Sequence, residues 1–164
     1  MKKSLLDVIS KIVPENHKID RDRNVTGVTM DSNNVEKGHI FVAVKGTNED
    51  GHNFIGQAIE SGATAIITNG RDLGTLSVPQ IKVANPRRAA SIIATEFYGH
   101  PSDGLVVIGI TGTNGKTTTA SLIHSVLNHT GHKTAQIGTL GLIAEGIDNE
   151  RTLTTPDAIS LQRI

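Results

Sequence analysis

The chain reads as an α/β protein of two domains, on three observations. Apolar strand-length runs alternate with helical segments up to residue 98. A strand, a glycine-rich turn and a helix follow one another from Leu105 to Leu127. Between these stretches lies the polar, turn-rich link His100-Pro101-Ser102-Asp103-Gly104. A length of 164 residues suits one or two domains, and the link puts the boundary after residue 103. The expected domains are therefore 1–103 and 104–164.

In the first domain Leu5, Leu6, Ile9, Ile12 and Val13 fall at helical spacing, and Pro14 ends that helix. Val28 and Met30 mark a short strand, followed by the turn cluster Asp31-Ser32-Asn33-Asn34. His39 to Val44 reads as a buried strand, and a polar loop runs from Lys45 to Asn53. Phe54, Ile55, Ala58 and Ile59 form one face of a helix that Gly62 closes from the position just past its C-cap. Ala65 to Thr68 and Ile81 to Val83 are further strands. Asn85-Pro86 starts a helix, with an N-cap side chain and then a proline whose missing N–H costs nothing there; its apolar face runs through Ala89, Ala90, Ile93 and Phe97 to Gly99.

The second domain opens on the apolar run Leu105-Val106-Val107-Ile108, expected as a buried strand over 105–110. Gly109-Ile110-Thr111-Gly112-Thr113-Asn114-Gly115-Lys116-Thr117-Thr118-Thr119 follows and leads into a helix ending near Gly131. This order makes a phosphate cradle. Glycines let backbone N–H groups approach phosphate oxygens, and the helix start adds unpaired N–H groups and the positive end of its dipole. Gly112, Thr113, Asn114, Gly115, Lys116, Thr117 and Thr118 are the nucleotide-binding candidates. Lys116, the catalytic candidate, can reach the β- and γ-phosphates of a bound nucleotide, and the Thr117 hydroxyl can sit on Mg²⁺. The strict pattern would have glycine at Ile110, and the alternative is a flexible turn with a solvated lysine. A second strand is expected around Thr134 to Ile137, completing one βαβ unit, with Glu145 and Asp148 as weak candidates for a Mg²⁺-binding acid in a turn. A complete doubly wound domain needs more strands, so the chain is expected to stop inside this domain and to be inactive by itself.

Composition narrows the partners. Lys+Arg and Asp+Glu both total 16, so no net field draws in nucleic acid or an anionic membrane. Three Phe, one Tyr and no Trp leave no platform for base stacking. No cysteine is present, which removes disulfides and thiolate chemistry. The start has no apolar signal core, because Asp7 interrupts it, and no run is long enough for a membrane span. A cytoplasmic monomer without nucleic-acid partners is the expectation. The seven histidines show no ligand spacing, so no metal site is expected from them.

Three segments, in order, resemble the Mur ligase family, specifically its MurE type. The first is Asp31-Ser32 with Gly38 to Ala43 and Lys45 to Phe54; the second is Thr111 to Thr118; the third is Ile137-Gly138-Thr139 with Thr154-Thr155-Pro156-Asp157 and Leu161-Gln162. They span the chain from about residue 25 to its end. Where the family usually has arginine after Asp-Ser, this chain has Asn33. The resemblance implies an N-terminal mixed α/β domain that holds a UDP-sugar, followed by the first βαβ unit of a P-loop central domain, truncated here. It implies a ligase of peptidoglycan precursor synthesis. That enzyme uses ATP to turn the D-glutamate carboxylate of UDP-N-acetylmuramoyl-L-alanyl-D-glutamate into an acyl phosphate, which the amine of meso-diaminopimelate or L-lysine attacks. Ser32, Thr47 and Asn48 would then contact the uridine end, and Thr154 and Thr155 the muramoyl-peptide. By residue type alone Ser32, Thr47 and Asn48 equally suit a turn and a solvated loop. Thr154 and Thr155 equally suit a loop before a helix with Pro156 at its first position. Two rival functions stand beside the ligase: another P-loop phosphotransferase or NTPase, and a non-catalytic UDP-sugar-binding module.

Overall fold

The computed structural model describes residues 1–13, 19, 23–46, 49–146 and 156–164. They fall into two compact units, Met1–Asp103 with Ala158–Ile164, and Gly104–Asp157. In chain order the elements are β1 (Lys3–Ser4), α1 (Leu5–Ile9), β2 (Asn24–Val25), β3 (Gly27–Thr29), β4 (His39–Val42), α2 (Ile55–Glu60), β5 (Ala65–Thr68), β6 (Gln80–Lys82), α3 (Pro86–Tyr98), α4 (Lys116–His129), β7 (Ala135–Gly138), β8 (Gly141–Ala144) and α5 (Ala158–Arg163).

The first unit is built on a parallel sheet in the order β3-β4-β5-β6, beside the small antiparallel pair β1-β2. Side chains alternate across a strand, so the apolar runs serve two cores. Val28, Ile40, Val42, Ile67 and Ile81 pack with α1 and α3 on one face, and Ile159 of α5 joins them. Phe41, Ala43 and Ile66 pack with Ile55 and Ala58 of α2 on the other. With both faces covered, the four residues of β5 are all buried.

Capping follows residue chemistry. The Asn85 side chain accepts the Arg88 backbone N–H at 3.0 Å, Pro86 is the first residue of α3, and Gly99 ends it at φ 79°. Gly62 (φ 99°) lies one residue past the Ser61 cap of α2, as its type requires. The first helix is shorter than its pattern: α1 stops at Ile9, where the Ile12 N–H bonds back to the Ile9 carbonyl three residues earlier. Ile12 and Val13 still pack on the core, so the periodicity reported burial rather than helix length.

In the second unit the expected strand over 105–110 is absent. Leu105 to Ile110 form no strand; Val106 is 92% exposed and Val107 74%. A run this apolar suits a central parallel strand, but a strand exists only through its neighbours, and none pairs with it among the described residues. The βαβ reading is corrected accordingly. After α4 comes an antiparallel hairpin, with Gly138 opposite Gly141 across the two-residue turn Thr139-Leu140. Helix α5 starts at Ala158, so Pro156 stands before the helix rather than at its first position, and α5 packs on α3. No helix among the described residues is long and apolar enough to cross a membrane.

Candidate functional site

The glycine-rich segment ends at Gly115, the N-cap of α4, with φ 78° and ψ −4°. This is left-handed backbone that ordinary residues adopt at a cost of about 1–2 kcal/mol. No side chain caps the helix, so no side-chain acceptor competes for the N–H groups of its first turn. Residues 111–116 are all exposed. A Cβ on Gly115 would meet nothing within 4 Å, so its backbone is open to a ligand. Lys116 folds back over the turn, its Nζ donating to the carbonyls of Gly112 and, at 3.3 Å, Thr113. The ammonium is thus held above the cradle by weak acceptors that an anion would outcompete.

The strand after α4 completes this corner. Gln136, buried in β7, donates to the Ser121 Oγ at 3.2 Å and ties the strand to the helix. Thr134 donates to the Asn128 Oδ1 at 2.9 Å and lies 2.8 Å from the His124 Nδ1, which fixes the far end of α4 to the start of β7. Thr139 therefore emerges beside the cradle, with its hydroxyl 3.4 Å from that of Thr117. Thr139 was not singled out as a site residue in the sequence. It lies in a segment that carried the family resemblance, but its nearness to Thr117 depends on how α4 packs on β7. Two hydroxyl oxygens side by side are hard donors of the kind Mg²⁺ accepts, and they fit the ion expected at Thr117.

In the first unit Ser32 is buried, at the start of a 3-10 turn over Ser32–Asn34 just past the carboxyl end of β3. Asp31 builds the turn: its carboxylate accepts the Asn33 N–H at 2.9 Å and the Asn34 side-chain amide at 2.8 Å. Among the described residues no hydrogen bond ties down the Ser32 hydroxyl. Asn33 accepts from the Gln57 side chain at 3.3 Å, which binds the turn to α2. The loop after β4 closes through Gly51, whose N–H bonds the Val44 carbonyl at 2.9 Å. A Cβ there would lie 2.8 Å from that same oxygen, so this close approach admits only glycine. Thr47, Asn48, Thr154, Thr155 and Asp148 lie outside the described residues.

Two family models match: "Mur ligase family, catalytic domain" over residues 24–98, and "Mur ligase middle domain" over residues 110–164. The chain belongs to the Mur ligase family. Within the Mur ligases it is of the MurE type. A UDP-N-acetylmuramoyl-L-alanyl-D-glutamate–2,6-diaminopimelate ligase of Bacteroides fragilis is 40% identical over 98% of the chain, which covers 33% of that relative. The ligase of the same name from Aquifex aeolicus is 47% identical over 86% of the chain and 29% of the relative. A solved structure of a ligase of that name superposes with a TM-score of 0.72 at 26% identity, covering 99% of this chain and 32% of the other. The MurF ligase of Thermotoga maritima in complex with ADP gives a TM-score of 0.50 at 34% identity, over 62% of this chain and 23% of that one. The chain thus spans about a third of the length of the Bacteroides ligase.

Proposed function

We propose that this chain supplies the sugar-nucleotide and ATP-binding part of a ligase that adds diaminopimelate, or L-lysine, to UDP-N-acetylmuramoyl-L-alanyl-D-glutamate. The observation that carries the reading is the cradle itself. A left-handed Gly115 opens an uncapped helix, with Lys116 folded over the exposed turn. That arrangement suits the phosphates of ATP, and a relative bound to ADP supports it. In the proposed reaction a D-glutamate carboxylate oxygen forms a bond to the γ-phosphorus while the β–γ bridge bond breaks and ADP leaves. The amine then attacks the acyl carbon, a C–N bond forms, and phosphate departs as the nitrogen gives up its proton. A carboxylate is a poor electrophile, and phosphorylation gives it a leaving group.

Mg²⁺, when bound, neutralises charge on the β- and γ-phosphates. Thr117 is the residue proposed to hold it, with Thr139 beside it. Lys116 offsets the charge of the γ-phosphate as its bridge bond breaks. Gly112, Thr113, Asn114, Gly115 and Thr118 supply backbone and hydroxyl donors around the phosphates. Ser32, Thr47 and Asn48 are proposed at the uridine end and Thr154 and Thr155 at the muramoyl-peptide. The reliance on cellular ATP places the reaction in the cytoplasm.

Calorimetric titration of the full chain with Mg·ATP tests the reading. Lys116→Ala removes a charge-assisted contact of ~1.5–3 kcal/mol, so the Kd rises roughly 10- to 150-fold. An unchanged Kd, with the helical signal of the variant intact, rejects the nucleotide assignment.

A further inference from the structure

Off the carboxyl ends of β4, β5 and β6 lies a cavity of about 260 Å³, the edge of a parallel sheet at which α/β proteins bind ligands. Val44 and Lys45 bound it after β4, Asn69 after β5, Asn85 and Arg87 at the start of α3, and His52 from the loop before α2. His52 is the unusual member. Its side chain is 3% exposed, and its Nδ1 lies 2.6 Å from the Asp50 Oδ1. The same carboxylate oxygen accepts the His52 backbone N–H at 3.0 Å, and Arg71 stands 3.6 Å from the other oxygen. These bonds, the backbone one foremost, hold the Asp50 carboxyl below its ordinary range. An ionised acceptor makes the His52 Nδ1 the donor and leaves Nε2 as the free end of the ring. That atom is buried and has no hydrogen-bond partner among the described residues. A buried polar atom without a partner calls for an explanation.

Charge supplies one. The first turn of α3 carries Arg87 and Arg88 and no acid, at the positive end of a helix dipole, where acids are favoured and cations are not. Arg87 is held at the rim by its bond to the Lys45 carbonyl at 3.1 Å, which sets a second cationic residue beside it. The Asn85 oxygen is occupied by the Arg88 N–H, so its amide donors remain for a ligand.

We propose that this cavity is a phosphate site, in which the phosphate of a small molecule lies between the His52 Nε2, Arg87, Lys45 and the N-terminus of α3. The Nε2 can accept the O–H of a singly protonated phosphate or, carrying its own proton, donate to a phosphate oxygen. None of these residues belongs to the set assigned above to uridine, muramoyl-peptide or ATP. The phosphate chemistry has two sources, the diphosphate of a uridine sugar nucleotide or free phosphate.

The test is NMR of the full chain labelled with ¹³C and ¹⁵N, with the His52 ring signal assigned through its own backbone amide and checked with His52→Gln, and titrations by inorganic phosphate, UDP and uridine. Phosphate or UDP moves the His52 Nε2 resonance and uridine leaves it in place. Arg87→Gln, an exposed change, raises the Kd read from that shift about tenfold or more, so the test survives if the buried variant fails to fold. Saturation at far lower UDP than phosphate identifies the diphosphate as the ligand; equal saturation identifies free phosphate. A shift with phosphate but not UDP sustains the phosphate site and removes the sugar nucleotide from it. A His52 resonance moved by neither phosphate nor UDP, while UDP still binds by calorimetry, overturns the proposal while the ligase reading stands. So does a Kd insensitive to Arg87→Gln.

Discussion

Gly115 shows how one residue joins conformation to chemistry. Its φ of 78° costs a β-branched residue more than asparagine, whose short polar side chain tolerates the left-handed region. Open space surrounds the position where a Cβ would sit, so in the free protein backbone angle rather than size makes the demand. Gly115→Val is expected to lower the stability of α4 by about 1–2 kcal/mol and Gly115→Asn by less, read from urea melts of the helical signal. Equal losses would show that the turn relaxes to another conformation. Lys116 and Gly115 were legible because the pattern around them is one of residue types at fixed spacing. Thr139 was not, since its place beside Thr117 is set by the Gln136–Ser121 bond between a strand and a helix fifteen residues apart. His52 escaped for a similar reason: it stands in the stretch from Lys45 to Asn53 that reads only as a polar loop, and the closure at Gly51 is what turns Asp50 toward the imidazole ring.

Among the elements, α3 was read most fully and the 105–110 segment least. The start, face and end of α3 are each written in local chemistry: an Asn-Pro start, alanines and isoleucines at helical spacing, and a left-handed glycine. Its N-cap also holds one wall of the cavity described above. Asn85→Ala is therefore expected to lower stability by about 1 kcal/mol, and Asn85→Asp to restore most of it, as measured by thermal unfolding. Loss in both variants would mean that the amide matters for more than capping. The central strands β4 and β5 were legible as apolar runs because both of their faces are buried. The same signal misled at Leu105-Val106-Val107-Ile108, where apolarity announces a preference for neighbours that the described residues do not provide. The β7-β8 hairpin was missed in its second strand because Gly-Thr-Leu-Gly carries none of the usual two-residue turn pairs.

For the whole molecule, the division into two units follows the distribution of buried side chains. The first holds both apolar clusters, while α4 of the second has no buried residue. Hydrogen exchange should record this difference. Amides of Ile40 to Val42 and Ile66 to Thr68 are expected to be the slowest in the chain, and those of Val106 to Ile110 to exchange near the rate of unstructured peptide. Protection at Val106 and Ile108 matching that of β4 would show that the segment is paired in solution. The exposed segment has a further consequence for the colloidal behaviour of the protein. From Leu105 to Thr111 it carries no charge, and a formal net charge of zero gives little mutual repulsion between molecules near pH 7. Uncharged, β-prone and accessible, it is the sort of stretch on which cross-β stacking begins, with Asp103 the nearest charge beside it. Solubility is therefore lowest near neutrality and improves on moving the pH to either side.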